Sequence, residues 1–440
     1  GTRDLTFSTE NHDPLFSFCR KTFVKLPSLQ KHHKQQYMKT HDYIEREEKF
    51  GAHNYHPLPV VLERGQGPYV WDVEGKRYYD FLSAYSAVNQ GHCHPRITAA
   101  LVEQAQRLTL TSRAFFNSVL GEYEEYITGY FGYDKVLPMN TGAEADETAL
   151  KLCRKWAYLK KGISANQAKI IVCEGNFHGR TITIVSMSTD PDARKDYGPF
   201  TPGFITIPYN DIPALEAALA DHNVAGFLVE PIQGEAGVFV PDEGYIKKAY
   251  DLCKKNNVLF IADEVQTGIA RTGKLLACDH EGVRPDILIL GKALSGGALP
   301  VSAVLADDEI MLTIKPGEHG STFGGNPLAA KVAIAALEVV KDEKLAERAE
   351  KLGKIFRDEM RALKSDMIEL VRGKGLLNAI VIRPKNGKEA WDVCLAMKEM
   401  GVLAKPTHGH IIRFAPPLII SEEQLRDAIS LIKKAILQFA

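Results

Sequence analysis

The 440 residues carry 54 lysines and arginines against 55 aspartates and glutamates, a net charge of −1, with 45% hydrophobic and 25% charged side chains. That balance is ordinary for a globular protein and leaves no electrostatic footprint for nucleic acid or an anionic membrane surface. No apolar run nears the roughly 18–20 residues of a membrane span. The length exceeds what a single hydrophobic core usually serves, so at least two subdomains are expected.

In chain order, residues 14–41 hold Arg20, Lys21, Lys25, Lys31, Lys34 and Lys39 and no acid. This is the composition of a mitochondrial presequence or of a basic arm, here taken as 1–41. Tyr69-Val-Trp-Asp72 and Lys76-Arg-Tyr-Tyr-Asp-Phe81, split by Glu74-Gly75, predict a β-hairpin within an N-terminal segment, 42–94. From 95 to 338, helical patterns alternate with short apolar runs at 168–173, 204–207, 225–230, 258–263 and 287–290. That alternation predicts an α/β fold with a mostly parallel sheet and helices on both faces. From about 339 to 440, charged amphipathic helices and a few strands, such as 379–382 and 410–414, predict a smaller α+β domain. The seven cysteines are odd in number and scattered without a C-x-x-C. A reducing interior, cytoplasm or mitochondrial matrix, is therefore favoured over a disulfide framework. His92-Cys93-His94 has adjacent side chains pointing apart and no second ligand pair at zinc-site spacing, so no metal is expected.

The chemistry gathers at strand ends. Val258-Leu-Phe-Ile-Ala-Asp263-Glu264 and Asp286-Ile-Leu-Ile-Leu-Gly-Lys292 each close an apolar run with a charged group. Ligands of open α/β sheets sit beyond the carboxyl ends of the strands. A lysine and an acid converging there suit pyridoxal phosphate, which needs an amine for its Schiff base and an acid against its pyridinium nitrogen. A buried Lys–Asp ion pair is the plain alternative. Thr141 and Glu144 have capping-box spacing, and Gly142 at the helix start lets a phosphate approach free N–H groups. Asn326-Pro327 predicts a second helix start, with the Ser321 and Thr322 hydroxyls just before it. After a strand, Phe177 suits stacking on a flat ring and Arg180 suits a carboxylate. Arg413 lies within an apolar strand, where a charge needs a partner, and Glu235 is the candidate.

Together these residues resemble the class III, fold-type I pyridoxal-phosphate aminotransferases. The likeness runs from about Tyr43 to the C-terminus through Asn140-Thr-Gly-Ala-Glu144, Phe260-Ile-Ala-Asp-Glu-Val-Gln-Thr-Gly268 and Leu290-Gly-Lys-Ala-Leu-Ser-Gly-Gly297. It implies that Lys292 and Asp263 are catalytic and that Gln266 bonds the ring's phenolic oxygen. Phe177 stacks on the ring, while Gly142, Ala143 and Thr322 of the partner subunit hold the phosphate, with Ser321 also on the cofactor. For substrates it implies L-ornithine and 2-oxoglutarate, bound by Tyr55, Tyr85, Arg180, Glu235 and Arg413, in a homodimer with active sites at the interface. Another ω-aminotransferase, acting on acetylornithine or 4-aminobutyrate, is the alternative. His178, in place of a bulkier aromatic, and Leu299 are expected to shift the width of the pocket. A nicotinamide-dependent dehydrogenase would show G-x-G-x-x-G between strand and helix, which the chain lacks in that context.

Overall fold

The computed structural model describes residues 38–439. The chain divides into two compact units, Gly1–Gly51 and Ala52–Ala440. Up to residue 37 the expected basic arm falls outside the described residues. The rest of the first unit is a helix, Thr40–Phe50, whose first turn is closed by the Lys39 N–H donating to Asp42 at 2.8 Å.

The second unit opens with a meander of β1 (Leu62–Gln66), β2 (Tyr69–Asp72) and β3 (Arg77–Asp80). The expected hairpin is β2–β3. Its turn is set by Asp72, whose Oδ1 accepts from the Glu74 and Lys76 N–H groups at 3.0 and 2.8 Å. β1 was not foreseen, because Leu-Glu-Arg-Gly-Gln has neither an apolar run nor alternation; among the described residues it is an edge strand that pairs only with β2.

Seven strands then form the central sheet: β4 (Lys135–Met139), β5 (Lys169–Cys173), β6 (Phe204–Ile207), β7 (Val224–Val229), β8 (Leu259–Asp263), β9 (Ile287–Leu290) and β10 (Ser302–Ala306). Their order is β4-β10-β9-β8-β7-β5-β6, and β10 is antiparallel to both of its neighbours, β4 and β9. Every residue of β7, β8, β9 and β10 is buried, because helices cover both faces. Gly142–Trp156 buries Ala145, Ala149, Leu152, Cys153 and Trp156 in the cluster that holds Ile261 and Ile289. Tyr245–Lys255 buries Ile246, Ala249 and Cys253 in the cluster that holds Phe227, Phe260 and Ala262. Along β8, successive residues therefore serve opposite faces, as the pleat requires.

The C-terminal part supplies β11 (Ile368–Lys374), β12 (Leu377–Ile382), β13 (Val402–Leu403), β14 (Lys405–Thr407) and β15 (Ile411–Phe414). β11, β12, β15 and β14 make an antiparallel sheet, while β13 pairs in parallel with β3. Helix Leu345–Arg361 approaches the β11–β12 turn closely: a Cβ on Gly353 would stand 1.6 Å from the Gly375 carbonyl oxygen. Beyond β15, the Ala415 N–H donates to the Phe81 carbonyl at 2.8 Å, which sets Arg413 beside the segment that carries Tyr85.

Candidate active site

Asp263 closes β8 and Lys292 follows β9, its parallel neighbour. Both line a cavity of about 210 Å³ with Gly142, Ala143, Asp146, Phe177, His178, Glu230 and Gln266. Lys292 stands at φ 45°, in the left-handed region that is costly for a residue with a Cβ. Strain of that kind gathers at functional sites. Burial holds the Lys292 amine below its ordinary value, against the opposing charges of Asp263, Glu230 and Glu235.

Asp263 is buried and held at both oxygens. Its Oδ1 accepts from the Val265 N–H at 2.9 Å, and its Oδ2 lies 2.6 Å from His178 Nδ1. Burial alone would pull the His178 imidazole down, but the hydrogen bond and charge of Asp263, helped by Glu230, leave it raised. His178 thus lines the cavity and also holds Asp263. Leu299 packs against the main hydrophobic core and is not among the residues lining this cavity.

The helix start is built as expected. Glu144 N–H donates to Thr141 Oγ1 at 3.2 Å and Thr141 N–H donates to Glu144 Oε2 at 2.8 Å. Across the cavity Gly142 faces Val265, whose Cγ1 would stand 3.1 Å from an added Cβ. Gln266 lies against Gly234, where a Cβ would sit 2.0 Å from its Oε1. Phe177 is fixed through its N–H, which donates to Glu230 Oε1 at 2.8 Å.

The substrate-side residues form a second group. Arg413 is buried and makes a two-pronged pair with Glu235, Nη1–Oε2 at 2.8 Å and Nη2–Oε1 at 3.3 Å. Its guanidinium carbon stands 4.8 Å from the centre of the Tyr85 ring. Burial is the main cause of a raised Tyr85 phenol, with Arg413 opposing and Glu235 and Tyr55 adding. Tyr55 is itself exposed. Arg180 is exposed, with Asp190 at 4.0 Å and its guanidinium carbon 5.4 Å from the Phe177 ring centre. Ser321 accepts from Asn140 Nδ2 at 2.9 Å, and neither it nor the exposed Thr322 lines the cavity within one chain.

Two site residues escaped the sequence reading. Glu230 looked like a strand end beside glycines, yet it is a buried acid that burial pushes up to about 7. Asp146 sits next to Ala145 on the helix and nothing in the local sequence marks it as buried; tertiary contact, with His178 of the loop after β5 at 3.8 Å, covers it.

Pyridoxal phosphate needs an amine, an acid against its ring nitrogen, a wall for its flat face and a cradle for its phosphate. A desolvated amine, a doubly oriented carboxylate, an aromatic side wall, a glycine at a capped helix start and two orphaned buried polar atoms, Asp146 Oδ1 and His178 Nε2, all meet one cavity. These residues fit the group.

A family model for class-III aminotransferases matches residues 50–436. The ornithine aminotransferase of Rattus norvegicus, named as mitochondrial, is 65% identical over 399 residues, covering 90% of this chain and 91% of that protein. The ornithine aminotransferase of Toxoplasma gondii superposes with a TM-score of 0.90 at 53% identity, covering 92% of this chain and 95% of that one. Its structure has PLP at partial occupancy in its active site. The acetylornithine aminotransferase of Elizabethkingia anophelis superposes with a TM-score of 0.84 at 66% identity, covering 91% of this chain and 100% of that one. With the fold, the cavity and this likeness over nine-tenths of its length, the chain belongs to the class-III aminotransferases.

Proposed function

We propose that the protein transfers the δ-amino group of L-ornithine to 2-oxoglutarate. The products are glutamate 5-semialdehyde, which cyclises to pyrroline-5-carboxylate, and glutamate. The observation that carries this reading is the Glu235–Arg413 pair beside the cavity of Lys292 and Asp263. Pyridoxal phosphate, when bound, supplies the electron sink for the carbon that loses a proton. Asp263 would face its ring nitrogen, Phe177 one flat side and Gln266 its phenolic oxygen. Gly142 and Ala143 of the same chain and Thr322 of the partner subunit would hold the phosphate, with Ser321 also on the cofactor.

One pocket has to present the δ-carbon of a diamine and then the α-carbon of a dicarboxylate. Arg180, exposed and weakly paired, takes the α-carboxylate of ornithine, with Tyr55 near its α-amino group and Tyr85 setting the reach. Glu235 meanwhile covers Arg413, so no second carboxylate site is open. In the second half Glu235 turns away, Arg413 takes the α-carboxylate of 2-oxoglutarate and Arg180 takes the distal one. Lys292 Nζ takes the proton from the δ-carbon of ornithine and, in the second half, delivers one to the α-carbon of the acceptor. Burial lowers its affinity for protons, which favours the free amine that a base has to be.

A homodimer with active sites at the interface is part of this proposal. It is supported by Thr322 lying outside the cavity of its own chain and by the exposed Phe115, Phe116 and Phe323. Sedimentation should give twice the chain mass; a fully active monomer would remove it. The β3–β13 pairing supports reading the N-terminal meander and the C-terminal part as one small domain. The free state of all six cysteines among the described residues, with the mitochondrial names of relatives, supports a reducing compartment.

The test is a single-turnover absorbance measurement on the holoenzyme mixed separately with ornithine, acetylornithine and 4-aminobutyrate. Ornithine should bleach the visible cofactor band fastest, with trapped pyrroline-5-carboxylate as the product. Faster bleaching by either of the others would move the substrate while keeping the chemistry.

A further inference from the structure

Beside the catalytic Asp263, two buried titratable residues of the cavity wall, Asp146 and His178, have no part in the reaction described above. Asp146 lies in the second turn of the helix Gly142–Trp156, fully buried, and its Oδ1 has no hydrogen-bond partner among the described residues. His178 Nδ1, bonded to Asp263 at 2.6 Å, stands 3.8 Å from that oxygen, and His178 Nε2 is buried without a partner. The three residues offer ligand atoms that all lie within 4.8 Å of one another. The backbone enforces this closeness. Gly179, at φ 125°, rests so near the helix start that a Cβ would sit 2.7 Å from that of Ala143, and the Phe177 N–H is anchored on Glu230.

In a water-poor cavity an uncompensated charge is strongly unfavourable, so the cluster has to sum to nearly zero. An Asp263 carboxylate bonded to a protonated His178 already does so. Asp146 has no cation within hydrogen-bond distance among the described residues, and the pull of Lys292 towards its carboxylate is outweighed, which favours the neutral acid. Burial first, then the charges of Asp263 and Glu230, keep it well above the usual carboxylate range. Docking a protonated pyridine ring on Asp263 adds one positive charge. Ionisation of Asp146 restores the balance, with two carboxylates facing two cations.

We propose that Asp146 is the charge-compensating acid of this cavity, releasing its proton to solvent when the protonated ring of pyridoxal phosphate docks on Asp263. His178 is the positioning residue between them. This inference rests on the cofactor reading above. The other ionisable groups that act on Asp146 are Glu147 on its own helix, Glu230 after β7 and Lys292 after β9, of which only Lys292 favours the carboxylate.

The experiment is calorimetric titration of the cofactor-free enzyme with pyridoxal phosphate near neutral pH, in two buffers of different ionisation enthalpy. Wild type should release about one proton more per site than Asp146→Asn, and the variant should bind about tenfold more weakly, the equivalent of one pKa unit. Equal proton release would overturn the assignment and leave the cofactor reading intact. A folded wild-type enzyme that binds no pyridoxal phosphate would overturn both. Because the variant risks misfolding, infrared difference spectra of wild type give a second readout. A protonated-carboxyl band should vanish on binding, and a spectrum without that loss contradicts the proposal.

Discussion

Glu230 accepts from the Phe177 N–H at 2.8 Å and from the Gly234 N–H at 3.3 Å, so a single buried acid ties the loop after β5 to the segment that carries Glu235. Its raised affinity for protons makes it a stability reporter. Between its ordinary value of 4.5 and its folded value of about 7, the folded chain keeps a proton that the unfolded chain has released. Stability from this group is therefore fullest below the lower value and is lost as pH rises through the upper one. Glu230→Gln should flatten the fall in stability of the cofactor-free protein between those values, a change of up to about 3 kcal/mol, in urea unfolding at a series of pH values. An unchanged slope would show that Glu230 titrates normally.

At the scale of elements, the site depends on a turn that the sequence does not announce. Ser83, Ala84, Tyr85 and Ser86 all have positive φ, from 45° to 77°, a left-handed turn built without a glycine or an asparagine. Asp80 caps it by accepting from the Leu82 and Ser83 N–H groups at 2.9 and 2.8 Å, while its other oxygen meets His92 at 2.7 Å. Each such residue costs about 1–2 kcal/mol. Ala84 is exposed, so Ala84→Gly should raise stability by about 1 kcal/mol in chemical denaturation, and a loss would mean that the turn is not strained. The strands behind the site were legible for a simple reason. β7, β8 and β9 are buried on both faces and read as unbroken apolar runs, with Asp263 and Lys292 at their ends. β4 and β10 were not anticipated: Lys-Val-Leu-Pro-Met carries a proline, and Ser-Ala-Val-Leu-Ala lacks the flanking signals of a strand. The capping box at Thr141 was legible because it is local. Asp146 and the His178–Asp263 bond were not, because tertiary contact alone creates them.

Across the whole molecule, three separated segments meet on Arg271. It is fully buried, and Nη1 donates to the Leu376 and Pro416 carbonyls at 3.0 and 2.7 Å, while Nε donates to Asn89 Oδ1 at 3.1 Å. Burial pulls this guanidinium down to about 9. The junction joins the chain just beyond Gln266, just beyond Tyr85 and just beyond Arg413, so the cofactor side and the substrate side of the cavity are held as one frame. Within that frame the freedom of Glu235 is the central claim, since one pocket has to serve two unlike substrates. The direct measurement is the ratio of single-turnover rates with glutamate and with ornithine, in wild type and in Glu235→Ala. Uncovering Arg413 should raise the glutamate-to-ornithine ratio about tenfold or more, equal to roughly 1.4 kcal/mol between the two barriers. A ratio that stays at the wild-type value would contradict the account.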